Sequence, residues 1–180
     1  MEDRIADPGP LGLAGFGITT VILSLINAGV TDAKALGVVL GLALAYGGGA
    51  QLLAGMWEFK KGNTFGAIAF SSYGSFWIAF YFIIKNGAPG AGLGIFLLMF
   101  GILTFYLWIC TFYLNRALFL VFLTLWIAFV LLALNGFGLM SSTAGGWVGF
   151  VCGSLALYTS FAGVLNNVAG KTVLPVGARK

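Results

Sequence analysis

The chain has 180 residues, of which 60% are hydrophobic and only 8% charged, with a formal net charge of +4. A typical soluble domain is about 25% charged, so composition excludes a water-soluble protein and turns the apolar excess toward lipid. The nine Lys and Arg residues are scattered singly or in pairs, which excludes the basic stripe of a nucleic-acid binder and makes them topology signals at membrane surfaces.

In chain order, residues 1–10 are predicted to be a short N-terminal segment rich in Pro and Gly. Glu2, Asp3, Arg4 and Asp7 leave it without the basic character of a cleavable signal, so the apolar run that follows is expected to be retained as a first span. Charge-free stretches run over 8–31, 35–57, 62–84, 86–115 and 117–170. A bilayer core about 30 Å thick needs about 20 apolar residues at 1.5 Å each. The first four stretches hold one helix apiece. The last is long enough for two, broken by Asn135-Gly136-Phe137-Gly138 and by the Ser- and Gly-rich residues 141–146. The expected fold is therefore all-α, a polytopic membrane protein with six transmembrane helices at 11–28, 36–57, 64–84, 92–114, 117–135 and 145–167. Residues 11–167 make one transmembrane domain and residues 168–180 a short tail.

Six spans put both termini on one side. That side gathers Arg4, Lys60, Lys61, Arg116, Lys171, Arg179 and Lys180, against only Lys34 and Lys85 opposite. The positive-inside rule then predicts cytoplasmic termini in a cell membrane. Glycine, at 28 residues, is the other strong signal. Gly37 with Gly41, and Gly145 with Gly149 and Gly153, have the four-residue spacing that lets helix backbones approach closely in lipid. Gly47-Gly48-Gly49 in the middle of the second span would permit a local break or a close approach by a solute; tight packing alone is an equally open account.

Polar side chains inside a span need a reason. The first span carries Thr19, Thr20, Ser24 and Asn27, the second Gln51, the third Ser71, Ser72, Tyr73 and Ser75, and the sixth Ser154, Tyr158, Thr159, Ser160 and Asn166. Ser71 and Ser75 form an i,i+4 pair. These groups either line a narrow path for a small, weakly charged solute or only bond across helices and to their own carbonyls. Gln51 and Asn166 are the candidate amide contacts along such a path. His is absent, and Cys110 and Cys152 sit in apolar runs, so no cofactor, metal cluster, redox pair or disulfide framework is implied. Glu58 is the single candidate for an intramembrane charge, and its place beside Lys60 and Lys61 predicts a paired interfacial residue. Catalytic triads and paired carboxylates are missing, which argues against an enzyme.

Particular stretches add a resemblance. Asp7-Pro8-Gly9-Pro10-Leu11-Gly12 and the GFG at residues 15–17, GMWEFKKGNTF at 55–65, SYGSFW at 72–77 and KTVLPVG at 171–177 fall in order along the chain. Together they resemble the acetate uptake transporter family, the succinate–acetate permease-like proteins. The resemblance implies a six-helix protomer, a homo-hexamer, and a pathway for acetate, sometimes succinate, within each protomer. It also implies a constriction built from a Phe, a Tyr and a Leu, which match Phe16, Tyr73 and Leu125 here. An apolar ring of that kind gates by drying. The acetate methyl would meet Phe16 and Leu125, and its oxygens a hydroxyl such as that of Tyr73; Thr19, Thr20, Gln51, Ser71, Ser75 and Asn166 are the further polar candidates. The signature Asp7, Pro8, Pro10 and Gly12 departs from the usual pattern at Asp7, where the family has Asn, and so adds a negative charge near the mouth. A channel for ammonium or water with the same lining, or a membrane scaffold or sensor, are the alternatives. Channel and proton-coupled symport remain equally open, because a small carboxylic acid titrates near the side chains of Asp and Glu, at about 4, and brings its own proton.

Overall fold

A computed structural model describes residues 5–87 and 90–178. Helix α1 (Gly9–Asn27) begins two residues earlier than expected, because Pro8 and Pro10 sit at its cap and in its first turn, where the missing N–H costs nothing. The Pro/Gly signature is thus partly helical. The second span is one continuous rod, Ala33–Lys61, built from α2 (Leu36–Leu44), a wide π turn over Ala45–Ala50, and α3 (Gln51–Lys61). Gly62, at φ 78°, ends it in the left-handed conformation that glycine adopts without strain. Helices α4 (Thr64–Lys85), α5 (Gly90–Cys110), α6 (Arg116–Gly136) and α7 (Thr143–Ala169) complete the set, with α5 running on into a 3₁₀ turn at Thr111–Tyr113.

The expected and observed spans agree to within four residues at every end, and the fold is all-α with six helices long and apolar enough to cross a membrane. Among the described residues the only strand-like pairing is an isolated bridge, Asn115 to Ala178. Arg4, Arg179 and Lys180, counted above among the basic residues of the terminal side, lie outside the described residues.

Small residues set the closest contacts. A Cβ on Gly17 of α1 would stand 3.0 Å from the Gly153 carbonyl of α7, and one on Gly153 the same distance from the Gly17 carbonyl. Gly149 lies against Ser24, while Gly145, rotated around the helix, packs instead on Leu132 of α6. The predicted glycine face of α7 is therefore shared between two neighbours. Gly37 and Gly41 face nothing within 4 Å and belong to the outer surface.

The run of three glycines widens the helix and packs tightly. A Cβ on Gly15 would fall 2.6 Å from the Tyr46 carbonyl, and one on Gly47 2.7 Å from Thr19 Oγ1. One extra residue in a helical turn rotates everything beyond it by about 100° relative to an uninterrupted helix. Gln51 is the first residue after that turn.

Candidate functional site

Three cavities follow one another through the bundle. The proximal vestibule, at the end of the bundle where Asp7 and Val176 lie, encloses about 310 Å³. It is lined by Asp7, Glu58, Lys61, Asn63, Asn115 and Asn166 among its polar groups. The distal vestibule encloses about 200 Å³ between Thr20, Ser24, Asn27, Trp77, Phe80, Phe129 and Leu132, among others. Between them lies a neck of about 20 Å³, formed by Leu13, Phe16, Gln51, Ala69, Phe70, Tyr73, Val121, Phe122 and Leu125. Leu13, Ala69, Phe70 and Phe122 also line the proximal vestibule, while Phe16 and Leu125 also line the distal one. A single water needs about 10–15 Å³, so the neck has room for a water-sized particle and none for a hydrated ion.

The neck is held by aromatic packing from three helices. The Tyr73 ring of α4 stands 5.9 Å from Phe16 of α1 and 6.1 Å from Phe122 of α6, centroid to centroid. Phe129 stacks on Tyr73 from two helical turns beyond Phe122 along α6. The Tyr73 hydroxyl is turned outward to Thr104 of α5 at 2.8 Å. Thr104 Oγ1 donates its only hydrogen to the Phe100 carbonyl at 2.7 Å, so Tyr73 is the donor of that pair. The expectation that this hydroxyl receives a solute's oxygens is thereby corrected: the ring lines the neck, and its hydrogen is spent on α5.

The polar group the neck does offer is Gln51, which is 1% exposed and whose Oε1 has no partner. A buried amide left unmatched costs about 1–3 kcal/mol, which a solute able to bond it would recover. Thr20 Oγ1 and Trp77 Nε1 are likewise buried and unpartnered on the wall of the distal vestibule.

The remaining predicted contacts divide. Asn166 lines the proximal vestibule, but its amide is occupied by the tail. It donates to the Leu174 carbonyl at 2.8 Å and accepts from the Val173 and Leu174 N–H groups at 2.7 and 2.9 Å. The tail thus held returns the Val176 and Gly177 carbonyls to the N–H groups of Ala117 and Arg116, free donors of the first turn of α6. Thr19 bonds back to the Gly15 carbonyl at 2.8 Å and lines none of the three cavities. Ser71 and Ser75 do not join the path. Ser71 is pressed against Gly55 of α3, and Ser75 lies exposed on the outer face. An i,i+4 pair drifts around a helix, and here that drift carries its second member to the surface.

The signature residues form the rim of the proximal vestibule. Asp7 Oδ1 accepts from the Gly9 N–H at 3.0 Å and from Lys61 Nζ at 2.8 Å, so the charge introduced at position 7 is neutralised by a lysine. A Cβ on Gly12 would fall 2.5 Å from the Phe70 ring, and the Pro10 carbonyl takes the Ser160 hydroxyl at 2.7 Å. Glu58 corrects the expectation of a paired interfacial charge. It is 1% exposed, Lys61 has gone to Asp7, and its recorded partner is the neutral Asn63, donating to Oε2 at 2.8 Å.

Residues 1–177 match the pattern of the GPR1/FUN34/yaaH family. The chain belongs to that family. It is 42% identical over 183 residues to the succinate-acetate/proton symporter SatP of Escherichia coli K12, covering 97% of this chain and 96% of that protein. Acetate permease A of Emericella nidulans is 38% identical over 200 residues, covering 96% of this chain and 66% of its relative. The solved structure of the bacterial acetate channel SatP superposes with a TM-score of 0.92 at 40% identity, covering 97% of this chain and all of that one.

Proposed function

We propose that each protomer of this GPR1/FUN34/yaaH member is a pore for acetate and similar small carboxylates, with Phe16, Tyr73 and Leu125 as its constriction. The observation that carries this is the series of two vestibules joined by one narrow, mostly apolar neck within a single chain. A two-carbon acid would pass methyl first as the Phe16 and Leu125 side chains part, and the O–H of its neutral form would donate to the unpartnered Gln51 Oε1. Thr20 and Trp77 would offer the next hydrogen bonds in the distal vestibule. The similarity to a symporter and a permease supports transport rather than catalysis.

Lys60, Lys61, Arg116 and Lys171 lie toward the proximal side and Lys34 and Lys85 toward the other, which supports a cytoplasmic proximal vestibule in a multi-pass cell-membrane protein. The outward-facing pair Gly37 and Gly41 fits close contact between copies in a homo-hexamer. Purified protein in liposomes should admit labelled acetate well above the rate of protein-free vesicles. Flux at the protein-free rate, with the helical fold intact, would refute the proposal.

A further inference from the structure

Glu58 is the one charged side chain among the buried polar residues, and nothing in the path described above uses it. It is clamped between the starts of two helices. A Cβ on Gly66 of α4 would fall 2.8 Å from Glu58 Cδ, and one on Gly9 of α1 would stand 3.5 Å from Glu58 Oε1. Its carboxyl nonetheless lines the proximal vestibule. A charge this buried is ordinarily matched by a cation. Here Asn63 supplies a neutral N–H to Oε2, and Lys61 is engaged at 2.8 Å by Asp7.

Among the described residues the ionisable groups around it are few. Asp7 precedes α1, and Lys60 and Lys61 share its own helix. Helix α4 brings no charge at this end, its Lys85 being at the other. Arg116 at the start of α6 is exposed and packs on Gly177, and Tyr158 of α7 donates to the Pro175 carbonyl. Of these, Asp7, Glu58 and Lys61 line the vestibule. Asp7 and Lys61 cancel, so the protonation of Glu58 sets the net charge that an arriving anion meets. Ionised, Glu58 makes the vestibule negative and repels a carboxylate. Protonated, it makes the vestibule neutral and gains an O–H donor.

We propose that Glu58 is a proton-binding site linked to carboxylate binding in the proximal vestibule: an anion taken up there draws a proton from the medium onto a Glu58 oxygen. The only bond formed is that O–H, and the proton comes from water or buffer. The linkage is reciprocal, so protonation must tighten anion binding by the same factor, roughly five- to 150-fold for couplings of ordinary size. The inference rests on the proposed carboxylate path and deepens it by naming the group through which pH acts.

The test is to titrate sodium acetate, brought to the pH of the protein, into the detergent-solubilised chain in weak buffer. A pH indicator records proton uptake, and equilibrium dialysis of labelled acetate, run alongside, gives the amount bound. The parent should take up a fraction of a proton per acetate bound, roughly 0.4–0.85 at its maximum for a coupling of that size, falling off at both lower and higher pH. Glu58→Gln, which keeps the shape and Asn63 as neighbour, should bind acetate with no proton uptake and with an affinity flat across pH 5.5–7.5, a window of roughly two units above the ordinary carboxyl range, where acetate stays ionised. Should Glu58→Gln fail to fold, Asn63→Ser serves in its place. Serine retains the cap on α4 that Asn63 Oδ1 provides to Gly66 N–H and removes the donor to Glu58, so the proton-uptake profile should move to higher pH. Proton uptake by Glu58→Gln equal to the parent's, or an Asn63→Ser profile superimposable on the parent's, overturns the inference. A parent that binds acetate without taking up protons overturns it alone. A parent that binds no acetate removes the proposed path and the inference with it.

Discussion

Replacing Leu125 by Ala removes three carbon atoms from a ring that encloses only about 20 Å³. Each is about as large as a water, whose share of liquid volume is roughly 30 Å³, so the neck would gain at most about 90 Å³ before its walls relax. That is room for the extra atoms of lactate. A hydrophobic constriction that rejects one additional carbon discriminates by about 1–3 kcal/mol, or roughly 10- to 200-fold. Leu125→Ala should therefore raise the ratio of lactate to acetate uptake by at least about tenfold, with succinate following in the same direction. The cost in stability should sit near the low end of the roughly 2–5 kcal/mol for Leu→Ala, because Leu125 already borders open space on two sides. The assay is uptake of each labelled acid into proteoliposomes, corrected for protein-free vesicles. Uptake ratios identical to the parent's, in a variant that folds, would show that the ring does not sort acids by size.

Gln51→Leu should cut acetate uptake about tenfold, in line with about 1–3 kcal/mol for an unmatched polar partner, while leaving thermal stability equal or higher; full uptake would remove Gln51 from the path. Tyr73→Phe keeps the ring and loses the bond to Thr104, so it should cost about 1 kcal/mol in chemical denaturation and disturb acid selectivity less than Leu125→Ala does. A collapse of acetate uptake as large as that of Gln51→Leu would instead place the hydroxyl in the path. Gly48→Ala puts a methyl on the Ala43 carbonyl and 2.7 Å from Ile78, and should lower thermal stability by about 1–3 kcal/mol of overpacking; an unchanged melting curve would deny the tight fit. Asn166→Ala removes three hydrogen bonds to the tail, each worth about 0.5–1.5 kcal/mol, and should speed amide exchange at Val173, Leu174, Arg116 and Ala117 together. Exchange limited to the tail would show that the tail does not cap α6.

The spans were legible because charge is so scarce here that each Lys, Glu or Arg marks a helix end, and Phe16 and Tyr73 sat in the quoted motifs, while Leu125 came from the resemblance alone; all three line the neck. What the sequence hides is direction. Nothing in SYGSF says that the Tyr73 hydroxyl turns to Thr104, a residue 31 positions away. Ser71 and Ser75 share a spacing that is as compatible with the outer face as with the path, and neighbours from α3 decide between them. Glu58 stands beside two lysines in the chain, yet its burial arises from Gly9 and Gly66, small residues that let two other helices close over it. Asn63 could have been suspected from its cap position before Thr64. The triple glycine announced irregularity, and whether it made a break or a π turn depended on Thr19 and Ile78 packing against it.

The clasp between the tail and α6 has a bearing on biosynthesis. Two first-turn amides of a transmembrane helix are satisfied by carbonyls some sixty positions downstream, at Val176 and Gly177. Until those residues leave the ribosome, the inner rim of α6 stays hydrated and the mouth beside it stays unfinished. A nascent protomer cut short at Ala169 would thus insert all its helices and still lack a sealed edge, so quality control that senses water at a helix end has a cue for rejecting it.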